Sequence, residues 1–166
     1  MSRTFATRAF VFAASLAATA AFAQEKESVH LVITGGPNAG TYDATSDKGG
    51  CSYGLGGPGS WGNQLSLPKE KDPKKLNSLQ LVVPDAKKAA GGSKEFQMTV
   101  GFGPLMARSA EYTVDTRATA PKKSGSGTVT VDDKGSTGKV TFSATTAAGV
   151  KLDGTIDCKS VTRSGS

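Results

Sequence analysis

The chain predicts an all-β fold: a single-domain antiparallel β-sandwich or small barrel with a C-terminal β-meander and one disulfide. Three observations carry this. Apolar side chains recur at every second position in run after run, the spacing that puts one face of a strand on a core and the other in water. Clusters of Gly, Asp, Asn and Pro punctuate the runs at short intervals. Helical periodicity is almost missing. Many short strands with frequent turns fit a sandwich or barrel.

The elements follow in order. Val29, Leu31 and Ile33 alternate with Ser28, His30 and Thr34, and Gly35-Gly36-Pro37-Asn38 ends this first strand. Weaker strands are expected near 40–46, 51–55, 63–67 and 126–132, with Asp47-Lys48-Gly49-Gly50 as the turn after the first of these. Leu79, Leu81 and Val83 share one parity. The helical candidate is Asp85 to Ala90, where Asp85 can cap and Gly91 can terminate one or two turns. Phe96, Met98, Val100 and Phe102 alternate with Glu95, Gln97 and Thr99, and Tyr112 and Val114 with Glu111, Thr113 and Asp115. Val140, Phe142 and Ala144 form one face, as do Val150, Leu152, Ile156 and Cys158. Asp132-Asp133-Lys134-Gly135 and Ala147-Ala148-Gly149 join the last three strands into a meander from Gly125 to Cys158. The expected core contains Leu31, Ile33, Leu79, Leu81, Phe96, Met98, Val100, Phe142, Leu152 and Ile156.

Residues 1–23 read as a signal peptide. Arg3 and Arg8 give a basic start, Ala9 to Ala18 a short apolar run, and Ala21-Phe22-Ala23 a cleavage site before Gln24. The apolar run is too short to span a bilayer. The expected organisation is therefore a leader at 1–23, a β-sandwich domain at 24–158 and a flexible tail at 159–166, in a secreted or periplasmic setting. No later apolar run approaches membrane-spanning length. No cysteine follows the cleavage site to accept a lipid anchor. Loss of Arg3 and Arg8 lowers the net charge from +6 to +4, a balance that does not point to nucleic acid. The lysines fall in punctuating segments (Lys69, Lys71, Lys74 and Lys75; Lys87 and Lys88; Lys122 and Lys123) and read as solvated loops.

The two cysteines, Cys51 and Cys158, both lie in the exported part. One disulfide is the simplest reading of an isolated pair in an oxidising compartment. Two free thiols or a metal pair are the alternatives. A metal is disfavoured, because His30 is the one histidine and structural zinc takes four ligands.

The stretch Gly49–Gly62 stands out: seven of its fourteen residues are glycine, and it carries Tyr53 and the single tryptophan, Trp61. Gly54, Gly56 and Gly59 satisfy G-x-G-x-x-G, but Pro58 and Trp61 stand where a phosphate-binding helix would begin. A nucleotide cofactor is therefore rejected, and no cofactor is expected. Tyr53 and Trp61 can offer stacking faces to a ligand. The favoured alternative has Trp61 folding back as a plug over one end of the core. His30 falls on the solvent face by parity, without a nucleophile motif around it. Asp43, Asp47, Glu95 and Glu111 are the carboxylates available for hydrolysis, if the fold brings two of them together. The apolar connection Gly101 to Met106 reads as the lip of a pocket, a partner surface or a closure of the sandwich end.

The segment from Gly127 to Ala144, followed by Val150 to Cys158, resembles the C-terminal halves of small exported bacterial β-proteins of unassigned function. The mycobacterial surface lipoprotein antigens are a distant case, with a final strand ending in a disulfide-bonded cysteine. The resemblance implies a bacterial envelope setting and a disulfide, and carries over no catalytic residue. The leading expectation is a non-enzymatic binding module for an apolar ligand, a glycan or an envelope protein partner. The alternatives are a secreted carboxylate-dependent hydrolase and a purely structural envelope component.

Overall fold

The computed structural model describes residues 25–164; the leader expected at 1–23 lies outside the described residues. The elements are β1 (Glu27–Thr34), β2 (Gly40–Ser46), β3 (Gly49–Tyr53), β4 (Trp61–Ser66), β5 (Leu76–Val83), α1 (Ala86–Ala90), β6 (Gln97–Phe102), β7 (Ala110–Asp115), β8 (Ser126–Asp133), β9 (Gly138–Thr145), β10 (Lys151–Cys158) and β11 (Val161–Arg163). They build a two-sheet sandwich. One sheet has the order β2-β1-β10-β9-β8 and the other β11-β3-β4-β5-β6-β7.

Period-two patterning sets which face of each strand is dry. β9 alternates strictly, burying Val140, Phe142 and Ala144 and exposing Lys139, Thr141 and Ser143. All ten residues expected in the core are buried, and Trp61, Leu65, Phe102 and Val114 join them. β8, β9 and β10 lie side by side as the expected meander. Its first turn is closed by Lys134 N–H donating to Thr137 O, with Asp133 accepting from Gly135 N–H, so this aspartate is spent on turn geometry. The helix also forms where its caps predicted. Asp85 accepts from Lys88 N–H at 3.0 Å, and Gly91 ends the helix after Ala90.

The disulfide joins Cys51 of β3 to Cys158 of β10, with Cα atoms 5.9 Å apart. It therefore staples one sheet to the other. Beside it a polar bridge also crosses the core. Asn63 of β4 donates to the fully buried Glu27 carboxylate of β1 at 2.9 Å and accepts from Leu81 N–H. Glu27 Oε2 lies 4.0 Å from Cys51 Sγ, while Oε1 has no partner among the described residues. Burial pushes the Glu27 carboxyl above its ordinary range, opposed by hydrogen bonds from Asn63 and the Gly50 backbone.

The C-terminal segment differs from the frayed tail expected at 159–166. Val161–Arg163 pairs in parallel with β3. Val161 N–H donates to Ser136 O, Ser164 N–H donates to Tyr53 O, and Arg163 reaches Gly135 O and Asp133. A three-residue strand with one apolar side chain leaves no periodic signal, and it is held by partners distant in sequence. Gly54 makes the approach possible. Its φ is +82°, and a Cβ there would sit 2.1 Å from Ser164 O, so any other residue would clash.

Candidate functional site

The β3–β4 connection is compact and pinned. Gly54 N–H donates to Ser60 O, Gly57 N–H to Gly54 O and Ser60 N–H to Gly57 O. The Ser60 hydroxyl accepts from Gly56 N–H at 3.0 Å, and Gly59 O accepts from Ala86 N–H of α1 at 2.8 Å. The glycine density thus serves a tight coil fastened to the helix. Leu55 projects from it, 74 % exposed.

Beside this coil lies a groove of about 420 Å³ on the outer face of the six-stranded sheet, within the size range of small-ligand clefts. Strand register builds it. Gly50, Gln64, Gln80 and Thr99 align in one row across β3 to β6. Thr162, Ser52, Gly62, Val82 and Gln97 align in the next. Gly50 and Gly62 have no side chain, so they form the floor between taller neighbours. Glycine inside a strand commonly marks such a close approach. Gln64, Gln80, Ser52 and Thr162 supply amides and hydroxyls, and Leu55 and Val82 supply apolar contact. None of the residues that line the groove is charged, although 20 % of the chain is charged; the Lys26 stem packs against Gly50 where a Cβ would stand. Amides and hydroxyls donate and accept alike, so the groove can read a neutral polar ligand without ionic pairing.

The aromatic rings of this stretch are largely covered. Trp61 is 1 % exposed, and its ring is core material. It occupies the plug position, and its Nε1 has no partner among the described residues. Tyr53 is half-buried, with the Arg163 guanidinium 4.7 Å from its ring centroid. Neither ring is an open stacking platform. Trp61 contributes to the groove wall from the strand that carries it.

The four candidate carboxylates are dispersed, each beside a different side chain. Asp43 meets His30, Asp47 meets Lys48, Glu95 meets Lys88, and Glu111 meets Arg108. His30 faces solvent as parity predicted, its Nδ1 2.7 Å from Asp43 Oδ1. Thr155 stands opposite His30 in register, but no hydroxyl hydrogen-bonds the histidine among the described residues. No group of three metal-ligating side chains converges among the described residues. Cys51 and Cys158 are bonded to each other, which removes the free-thiol and metal alternatives.

Sequence reasoning missed the groove residues Gln64, Gln80, Ser52 and Thr162. Gln64 and Gln80 come together only through the β4–β5 register, and Thr162 only through β11. Gly50 and Gly62 gave no signal either, because they fell outside the strands expected at 51–55 and 63–67, whereas the structure places them inside β3 and β4. No family model, curated protein or solved structure matches the chain.

Proposed function

We propose that this protein is an exported, non-enzymatic binding module that holds a neutral, hydroxyl-bearing ligand of the glycan type in the groove of the six-stranded sheet. The observation that carries the reading is the groove's lining: a glycine floor, paired glutamines and hydroxyls, and no charged residue among those that line it. The leader pattern at 1–23 and the Cys51–Cys158 bond support an oxidising compartment outside the cytoplasm. Gln64 and Gln80 would hydrogen-bond the ligand, and Leu55 and Val82 would cover its less polar face. Because the pairing is uncharged, affinity should vary little with salt.

Native mass spectrometry of protein purified from its own host tests this, followed by dialysis against a panel of neutral oligosaccharides. The wild type should hold a neutral adduct. Gln64→Ala with Gln80→Ala should lose it without a change in melting temperature, since both side chains are exposed. An adduct held equally by that variant would count against the groove.

A further inference from the structure

A second surface lies at the end of the sandwich remote from Leu55. There the β6–β7 connection, 103–109, folds against the β4–β5 connection, 67–75. Gly103 N–H donates to Lys75 O at 3.1 Å, and the Ser109 hydroxyl donates to Pro73 O. Ala107 N–H donates to Pro104 O at 2.9 Å, closing a tight turn. That turn carries Leu105 and Met106 outward, 45 % and 96 % exposed. Apart from Leu55 they are the exposed large hydrophobic residues among the described residues.

The neighbouring loop, 67–75, carries four lysines against two acids, a net charge of +2. Lys69, Lys71, Lys74 and Lys75 are exposed, and among the described residues none pairs with a carboxylate. The two acids of the same loop are turned onto its backbone. Glu70 accepts from Lys71 and Asp72 N–H groups at 2.8 Å, and Asp72 accepts from Lys74 N–H at 2.9 Å. The result is a convex apolar tip beside four lysines free to reach outward. Arg108 does not add to it, because Arg108 is held by Glu111 and Ser78.

We propose that this end docks peripherally on an anionic phospholipid bilayer, with Leu105 and Met106 entering the interface and the lysines lying in the headgroup layer. The charge fits: lysines near an anionic surface attract it over about a Debye length, and their stems can lie along the acyl boundary. The shape also fits. Two side chains on a convex turn bury far less than a stable protein–protein interface requires, whereas a fluid bilayer deforms around them. No helix among the described residues is long and apolar enough to cross a membrane, so the docking is a surface contact. The tip lies beyond Leu76 and Phe102, at the opposite end of β5 and β6 from the groove loop, so this proposal stands independently of the groove.

Co-sedimentation of the exported protein with phosphatidylglycerol vesicles, and with pure phosphatidylcholine vesicles, tests it. The protein should partition onto the anionic vesicles, with binding weakened by salt. Leu105→Asp with Met106→Asp should reduce partitioning by about tenfold for each side chain removed from the interface. Lys71→Glu with Lys74→Glu should reduce it as well. All four side chains are exposed, so unchanged melting temperatures separate lost docking from lost folding. Absence of vesicle binding, equal binding to neutral vesicles, or binding unaffected by the double aspartate variant would overturn the proposal. Capture of an acidic protein through the same residues without vesicle binding would overturn it in favour of a protein partner.

Discussion

Removing the cross-link between the sheets is the perturbation with the best-defined magnitude. Cys51 and Cys158 are 107 residues apart in sequence. The loop they close lowers the unfolded chain's entropy by about 16 cal/mol/K, which is about 4.8 kcal/mol at room temperature. Cys51→Ala with Cys158→Ala should therefore lower unfolding stability by about 4–5 kcal/mol, a large fraction of what a domain of this size holds. Guanidinium unfolding of the oxidised wild type and the variant is the assay. The stabilisation acts on the unfolded chain, so a second signature is expected. Without the bond the denatured ensemble expands and exposes more surface, and the m-value should rise. A loss below about 1 kcal/mol with an unchanged m-value would refute this reasoning. It would mean that the unfolded chain already keeps β3 and β10 together.

Three other outcomes follow from single side chains. Trp61→Ala should cost about 3–5 kcal/mol, and wild-type emission should be blue-shifted, because the ring is 1 % exposed; a red emission and an unchanged melting temperature would contradict the burial. Phe142→Ala should cost about as much, since the ring packs over Gly154 directly across the β9–β10 pair, while Thr141→Ala on the solvent face should be nearly silent; urea titrations of both check the register. Glu27 bears on pH. Its folded pKa is raised, so its contribution is fully present below the ordinary carboxylate range and is lost as pH rises through the raised folded value. Glu27→Gln should therefore be more stable than wild type above that value, with the gap closing in acid. Thermal melts across pH would show it, and a gap that widened on acidification would reverse the sign.

Most of the fold was written in local pattern, and the candidate site was not. Alternation alone placed Leu31, Phe96, Phe142 and Ile156 inside and His30 and Thr141 outside, because a strand has no intermediate option. Asp85 and Gly91 bracketed the helix by their capping chemistry. An isolated cysteine pair in a chain expected to be exported anticipated the bond, but not that it joins the two sheets. What escaped depends on contacts far apart in sequence. β11 exists because Tyr53, Ser136 and Asp133 receive it, and nothing in Val161–Arg163 announces that. Glu27 shares parity with Val29, yet a carboxylate at the edge of an apolar run reads as a solvated terminus until Asn63 is seen beside it. The groove is the clearest instance. Its floor is made of absent side chains, and its walls come from four strands whose adjacency is a property of topology.

Amide chemical-shift mapping of the isotope-labelled protein, titrated with the neutral oligosaccharides retained in the dialysis panel, tests the binding site most directly. The account predicts saturable shifts at Gly50, Ser52, Gly62, Gln64 and Gln80, with the His30–Thr155 face of the other sheet unmoved. Saturable binding whose shifts gather on that other face, or at the Leu105–Met106 tip, while the groove amides stay still, would contradict it.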